Sequence, residues 1–206
     1  MNSMVGRFVS ISGFVLAGGE SRRMGTPKQA LELNGEPLLE RQIRLLRGVC
    51  GRVAVVGPRV DMVQPGVSFI PDLFRSRGPL GGIHAALSVS RAEFNLIVAC
   101  DLPFLQTRFL QHLARVALRA GADVTIPEDR TRRLLPVCAV YRRRTLGIIR
   151  GRLARDLNKA DGYFRNARLQ VVTWREILRA GFSAHIFDNI NRPEDFEEAR
   201  KRLGLV

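Results

Sequence analysis

Phe8-Val9-Ser10-Ile11-Ser12-Gly13-Phe14-Val15-Leu16 runs directly into Ala17-Gly18-Gly19-Glu20-Ser21-Arg22-Arg23-Met24-Gly25-Thr26-Pro27-Lys28. The first nine residues read as a buried strand that stops at Ala17-Gly18-Gly19. Glycines at 18, 19 and 25 let the backbone turn tightly and bring its N–H groups close to phosphate oxygens. Arg22, Arg23 and Lys28 then supply charge to neutralise a triphosphate, and arginine adds directional hydrogen bonds. The spacing is neither that of a P-loop nor that of a dinucleotide fingerprint. The plain alternative is a glycine-rich strand-to-helix turn that carries exposed basic side chains.

Short apolar runs alternate with helical patterns beyond this loop. Leu38–Arg47 has apolar positions at 38, 39, 43, 45 and 46, as an amphipathic helix requires. Val53–Val56 is a second strand stopped by Gly57-Pro58, and Val67–Ile70 a third stopped by Pro71-Asp72. A helix follows over Leu80–Ser90, then a fourth strand, Phe94–Cys100, closed by Asp101-Leu102-Pro103. Thr107–Ala120 reads as a helix, Asp123–Ile126 as a strand and Leu134–Tyr141 as a longer strand-like run. The last third is less regular: a helix over Leu146–Leu157, short strands at Leu169–Thr173 and Ala184–Phe187, and a terminal helix over Pro193–Leu203 with Asn191 as its N-cap. Strands that alternate with helices imply crossover connections and a largely parallel sheet covered on both faces. With no linker, repeat or low-complexity segment, one domain spanning residues 1–206 is expected.

Ligands of open α/β sheets lie beyond the carboxyl ends of the strands. Three expected strands end in chemically pointed residues: Gly18-Gly19, Asp72 and Asp101. A carboxylate at such a tip suits Mg²⁺, which takes one or two protein oxygens with phosphate and water. Asp101 fits that role, and an Asx-turn residue is its alternative. Asp72 is a second ligand, a hydroxyl-binding residue or a turn residue. Gly78-Pro79-Leu80-Gly81-Gly82-Ile83 precedes a helix, so its N–H groups either face an anion or belong to a close-packing loop. His84, His112 and His185 are dispersed without metal spacing, which favours core or surface roles. No Ser/His/Asp or Cys/His constellation is present at a defensible spacing, which argues against covalent nucleophilic catalysis.

The formal charge of +14 comes from arginine: only Lys28, Lys159 and Lys201 are lysines among 33 basic residues. A surplus of this sign favours polyanionic partners. The arginines are scattered, densest at Arg130–Arg133 and Arg142-Arg143-Arg144, and solvated faces account for most of them. One Trp and two Tyr leave no stacking platform for single-stranded nucleic acid. Cys50, Cys100 and Cys138 each sit in or beside an apolar run, as buried thiols of a reducing compartment do. No secretory leader pattern precedes the first strand, so a cytoplasmic location is expected.

Leu16-Ala17-Gly18-Gly19-x-Ser21-x-Arg23-Met24-Gly25-x-x-Lys28 followed by Gly35-x-Pro37-Leu38-Leu39 resembles the molybdenum cofactor guanylyltransferase family. Gly78-Pro79-Leu80-Gly81-Gly82-Ile83, Cys100-Asp101-x-Pro103 and Asn189-Ile190-Asn191-x-Pro193-Glu194-Asp195 match that family in order and spacing, from about residue 13 to about 200. The resemblance implies a three-layer α/β/α, Rossmann-like nucleotidyltransferase domain with a mostly parallel, mixed sheet. In it, residues 8–130 would hold the nucleotide and residues 131–206 the acceptor. It also implies transfer of GMP from GTP to molybdopterin-bound molybdenum cofactor, with release of pyrophosphate and a requirement for Mg²⁺. Molybdoenzymes or their chaperones are the implied protein partners, with neither membrane nor nucleic acid among them.

Carried over by motif, Leu16, Ala17, Gly18, Gly19, Gly78 and Lys28 would contact GTP, and Arg23 would hold phosphates. Asp72 would help bind the nucleotide, and Asp101 would ligate both Mg²⁺ and nucleotide. Asn189 and Asn191 would lie near the acceptor or the metal. Lys28, Arg23 and Asp101 form the implied catalytic set. Two residues depart from the pattern: Pro27 stands where the family usually has Asp, and Gly57 where some members have an Asn that touches the nucleoside. Gly19 tilts the base toward guanine, because the cytidylyl relatives more often read Leu-Ala-Ala-Gly. The competing readings are a related transferase that uses CTP or another phosphorylated acceptor, and a non-catalytic nucleotide- or RNA-binding protein.

Overall fold

The computed structural model describes residues 7–18, 30–58, 66–72, 74, 77–157 and 167–204. In chain order the elements are β1 (Phe8–Leu16), β2 (Glu32–Leu33), β3 (Glu36–Pro37), α1 (Leu38–Arg47), β4 (Cys50–Val56), β5 (Ser68–Ile70), α2 (Gly78–Val89), β6 (Phe94–Ala99), α3 (Thr107–Ala120), β7 (Val124–Pro127), β8 (Cys138–Arg142), α4 (Leu146–Leu153), β9 (Leu169–Val172), α5 (Trp174–Arg179) and α6 (Pro193–Arg202).

Seven strands form one sheet in the order β5-β4-β1-β6-β8-β7-β9, and β2 with β3 makes a separate small hairpin. β1 lies between β4 and β6 and is parallel to both. Only β8 runs against its neighbours, antiparallel to β6 and to β7, while β9 is parallel to β7. This is the three-layer, mostly parallel, mixed architecture that the sequence implies. The alternation along β1 divides the core. Ile11 and Val15 face a layer containing Ile43 and Leu46 of α1, Phe109 and Leu113 of α3, and Ile177 of α5. Phe14 and Leu16 face Leu80 and Ile83 of α2 and Ile149 and Leu153 of α4. Burying a side chain of this size contributes about 1.5–3 kcal/mol, so the two layers hold the sheet from both sides.

Several expected boundaries move, each for a local reason. β4 begins at Cys50 rather than Val53, because Cys50 pairs with Phe8 across a register shift. A Cβ at Gly51 would lie 2.4 Å from the Val9 carbonyl oxygen, so the strands approach too closely there for any side chain. The run from Leu134 becomes strand only at Cys138, after Leu134 makes an isolated bridge to Glu128 and Cys138 N–H closes a turn onto the Leu135 carbonyl at 3.0 Å. α4 ends at Leu153, and Asp156 takes a left-handed φ of 59° where the helix was expected to continue.

The short strand expected at Ala184–Phe187 is instead a pair of turns, with Ile186 N–H donating to the Ser183 carbonyl at 3.2 Å and Asp188 N–H to the His185 carbonyl at 3.0 Å. The stretch anchors a loop: Phe187, and Phe182 just before it, meet the Phe109 ring edge-on, with centroids 5.3 and 5.2 Å away. α5 was not anticipated, although Thr173 and Glu176 form the capping box that starts it. The N-cap of α6 is Arg192 rather than Asn191. The Asp195 carboxylate accepts from the backbone N–H groups of both residues, each at 2.8 Å, and so pulls the start of the helix one residue on.

Candidate functional site

The parallel strands end level. Leu16 stands opposite Val56 and Ala99, and Val56 opposite Ile70. The ladder continues one residue past the strands, with Ala17 N–H donating to the Val56 carbonyl at 2.8 Å, Gly57 N–H to that of Ile70 at 3.0 Å, and Cys100 N–H to that of Leu16 at 3.1 Å. Ala17-Gly18, Gly57, Asp72 and Asp101 therefore meet along one rim of the sheet, as the strand tips predicted. Leu16 and Ala17 are buried, and Gly18 is exposed. Gly19, Arg23 and Lys28, which the resemblance assigns to the nucleotide phosphates, lie outside the described residues.

Gly57 has φ +147°, and a Cβ there would sit 3.0 Å from the Ala17 carbonyl carbon and 3.1 Å from the Gly18 nitrogen. Any side chain at 57 would push on the first loop, so this departure from the family pattern has a local cause in this chain.

Asp72 acts as the turn residue that was one of its alternatives, with one carboxylate oxygen accepting from the Phe74 N–H at 2.9 Å. The same carboxylate lies against the first turn of α2, its two oxygens 3.1 and 3.2 Å from where a Cβ of Gly81 would be. Negative charge is favoured at a helix N-terminus. There Gly78 has φ 62°, Pro79 opens the helix, and the N-cap Arg77 makes no side-chain capping bond. Gly82 packs directly on Leu16, with a Cβ there 3.2 Å from the leucine Cδ2. The Gly81-Gly82 pair thus serves close packing, while Gly78 and Pro79 stay exposed on the rim.

His84, one helical turn further, is only 6% exposed. Its ring meets Phe74 edge-on with centroids 4.9 Å apart, and its Nδ1 is buried with no hydrogen-bond partner among the described residues. Burial pushes its imidazole below the ordinary range, Arg150 pushes the same way, and Asp72 opposes them. It is a core histidine.

Asp101 is half-buried at the tip of β6, and its carbonyl accepts from the Ile190 N–H at 3.0 Å. That bond joins the Asn189-Ile190-Asn191 segment to the carboxylate tip, so two motifs remote in sequence occupy one place. Asn189 and Asn191 are exposed on either side of Ile190, which is buried with Leu33, Leu38 and Ala199 and backed by Phe104 and Phe196. Two further residues fix the turn after Asp101. Gln42 Nε2 donates to the Leu102 carbonyl at 2.7 Å, and Arg41 Nε to that of Pro103 at 2.8 Å. Sequence reasoning did not single out either one. The available signal was a glutamine set in the apolar stripe of α1, where it is fully buried.

The two arginine clusters separate in space. Arg142 and Arg144 lie at the opposite edge of the sheet, where Arg142 donates to the Gly121 carbonyl at the end of α3 at 3.0 Å and pairs with Glu93, while Arg144 pairs with Asp123. Cation charge at a helix C-terminus is stabilising, so this cluster is structural. Arg130–Arg133 follow β7 and stand on the rim that carries Asp101. The three cysteines are buried, and burial raises the Cys50 and Cys138 thiols to about 12, which keeps both protonated. Among the described residues no group of three or more His, Cys, Asp or Glu is placed to hold a metal, and no helix is long and apolar enough to cross a membrane.

The family described as the MobA-like NTP transferase domain matches residues 13–170. The probable molybdenum cofactor guanylyltransferase of Pelotomaculum thermopropionicum is 34% identical over 191 residues, covering 92% of this chain and 91% of the relative. The molybdenum cofactor guanylyltransferase of Desulfosudis oleivorans is 31% identical over 196 residues, with 94% and 96% covered. Among solved structures, molybdopterin-guanine dinucleotide biosynthesis protein A from Archaeoglobus fulgidus superposes with a TM-score of 0.81 at 24% identity, over 95% of this chain and 100% of that one. The 4-diphosphocytidyl-2C-methyl-D-erythritolsynthase of Anaerococcus prevotii shares the fold with a TM-score of 0.70 at 14% identity, over 99% and 100%.

Proposed function

The chain belongs to the MobA-like NTP transferase family, and we propose from that premise that it transfers GMP from GTP to molybdopterin-bound molybdenum cofactor, releasing pyrophosphate. The observation that carries the proposal is the level rim, where Gly18 and Asp101 emerge from hydrogen-bonded neighbouring strands and Asn189-Ile190-Asn191 is tied to Asp101. A nucleotide held over the first loop and an acceptor held over the asparagine segment would meet at Asp101.

The chemistry is attack by an acceptor phosphate oxygen on the α-phosphorus of GTP. No protein nucleophile is needed, and positioning with charge neutralisation accounts for most of the catalysis. Leu16, Ala17, Gly18, Gly19 and Gly78 would contact the nucleotide, and Asp72 would fix the turn that presents α2 to it. Arg23 and Lys28 would neutralise the phosphates and the departing pyrophosphate. Asn189 and Asn191 would orient the acceptor. In this division residues 8–130 serve the nucleotide and residues 131–206 the acceptor.

A single aspartate at a rim shared with phosphate and water oxygens suits Mg²⁺, which rarely uses an all-protein cage. Asp101 would hold the ion, which when bound would supply positive charge to offset that of the phosphates. The test is a thermal-shift panel with GTP, CTP, UTP and ATP, each with and without Mg²⁺, since a ligand that binds only the native state raises its melting point. GTP with Mg²⁺ should stabilise most. Preference for CTP would replace the guanylyl reading with a cytidylyl one, and indifference to all four would remove the transferase.

A further inference from the structure

We propose that Arg130, at the boundary between the nucleotide and acceptor parts, joins Arg132 and Arg133 on the loop between β7 and β8 to form the site that binds the anionic, phosphate-bearing acceptor. The proposal rests on the transferase reading given above. It answers a charge problem that the reading leaves open, because Asn189 and Asn191 are neutral and nothing assigned to the acceptor offsets its negative charge.

The sheet places the loop. β8 is antiparallel to both β6 and β7, so β7 runs in the same direction as β6 and delivers its chain to the rim that bears Asp101. With β8 between them, the tips of β6 and β7 stand two strand spacings apart, roughly 9–10 Å. An acceptor lying over the start of β8 would have Asp101 on one side and the arginines on the other. The loop is also tied to the carboxylate tip, because the Val137 carbonyl accepts from the Ala99 N–H at 2.8 Å, two residues before Asp101.

Its shape is fixed before any ligand arrives. At the base, Glu128 N–H donates to the Val172 carbonyl at 3.1 Å and Leu135 N–H to that of Pro127 at 3.0 Å, while the Glu128 carboxylate accepts from the Trp174 N–H at 3.0 Å. At the tip, one oxygen of Asp129 accepts from the Thr131 N–H at 2.8 Å, the Thr131 hydroxyl at 2.7 Å and the Arg133 N–H at 3.0 Å. Arg132 occupies the left-handed region, with φ 63°, where glycine or asparagine is the ordinary choice.

All three arginines are exposed, and none makes a short salt bridge with a described residue, the Arg133 charge acting on the Asp129 carboxylate only at longer range. Arg44, Arg142, Arg144 and Arg202, by contrast, are each paired with a carboxylate. Three exposed guanidinium groups on a braced loop suit a multiply anionic small molecule, since each can make two parallel hydrogen bonds to phosphate oxygens.

The test compares the full-length protein with the triple variant Arg130→Gln/Arg132→Gln/Arg133→Gln and with the matching triple Lys variant. Pyrophosphate release is followed with molybdenum cofactor as acceptor, over a series of salt concentrations. The Gln variant should raise the acceptor KM about tenfold or more and flatten its salt dependence, with the GTP KM and GTP-induced melting shift unchanged. The Lys variant should recover the salt dependence and part of the affinity. An acceptor KM and salt dependence equal to wild type in the Gln variant would overturn the assignment, and so would an equal loss of GTP affinity. A wild-type protein that releases no pyrophosphate with this acceptor removes the transferase reading first and this site with it.

Discussion

The Ile190 N–H and the Asp101 carbonyl are 3.0 Å apart, and through that bond the C-terminal segment is fastened to the tip of β6. Ile190 is 1% exposed and fills a small cluster with Leu33 and Leu38. Ile190→Ala should cost about 2–4 kcal/mol of stability, read from chemical denaturation. In the fraction that stays folded, the acceptor KM should rise while the GTP-induced melting shift is retained.

Asp101→Ala should leave a folded protein whose rate of pyrophosphate release falls by about 10²–10³, the usual loss for one preorganised charge contact. Wild-type turnover would remove Asp101 from the site. Lys28→Ala is expected to behave in the same way, with a larger loss in GTP affinity.

Gln42 touches neither substrate in this scheme, yet it holds the Leu102 carbonyl beside Asp101 at 2.7 Å. Gln42→Leu strips a buried carbonyl of its donor, at a cost of about 1–3 kcal/mol. The loss should fall toward the lower end of that range, because the buried Gln42 Oε1 has no partner among the described residues and its removal relieves a penalty. As a positioning residue, it should lower kcat with little change in either KM.

Two neighbouring glycines make opposed forecasts. A Cβ on Gly81 would meet the Phe74 carbonyl oxygen at 2.8 Å and the Asp72 carboxylate at 3.1 Å, so Gly81→Ala should destabilise by about 1–3 kcal/mol and weaken the GTP-induced melting shift. The nearest atom to a Cβ on Gly82 is the far end of the Leu16 side chain, at 3.2 Å, and alanine favours the helix by up to about 1 kcal/mol. Gly82→Ala should therefore be near neutral in the same two measurements.

His84 is held neutral by burial, so its proton affinity in the fold lies below its ordinary value near 6.5. The unfolded chain binds the extra proton below that pH, and stability should fall as the pH drops through about 6.5. His84→Leu should flatten this part of the denaturation-midpoint profile measured between about pH 5 and 7.5. A residual slope should remain from His112, which burial shifts in the same direction.

Regular elements with a strong period were legible in the sequence: β1, α1 and α3 have the bounds that their apolar spacing dictates. Apolar residues that anchor a loop were not, since Ile186 and Phe187 look like strand material until Phe109 is seen beneath them. The rim was legible because strand ends carry their chemistry next to them in sequence. The residues that brace it were hidden, since Gln42, Arg41 and Ile190 act on Asp101 and its turn from remote positions, and a single chain gives no sign of which buried amide faces which carbonyl.

The reversed direction of β8 has a use beyond closing the sheet. A parallel crossover spends a helix to return the chain to the far edge, whereas β7 and β8 are joined directly across the rim, with both feet of the loop fastened to the framework. Exchanging residues 129–133 would leave both layers of the core untouched. Transplanting this one loop between relatives is thus the shortest route to a transferase that keeps its nucleotide and accepts a different second substrate.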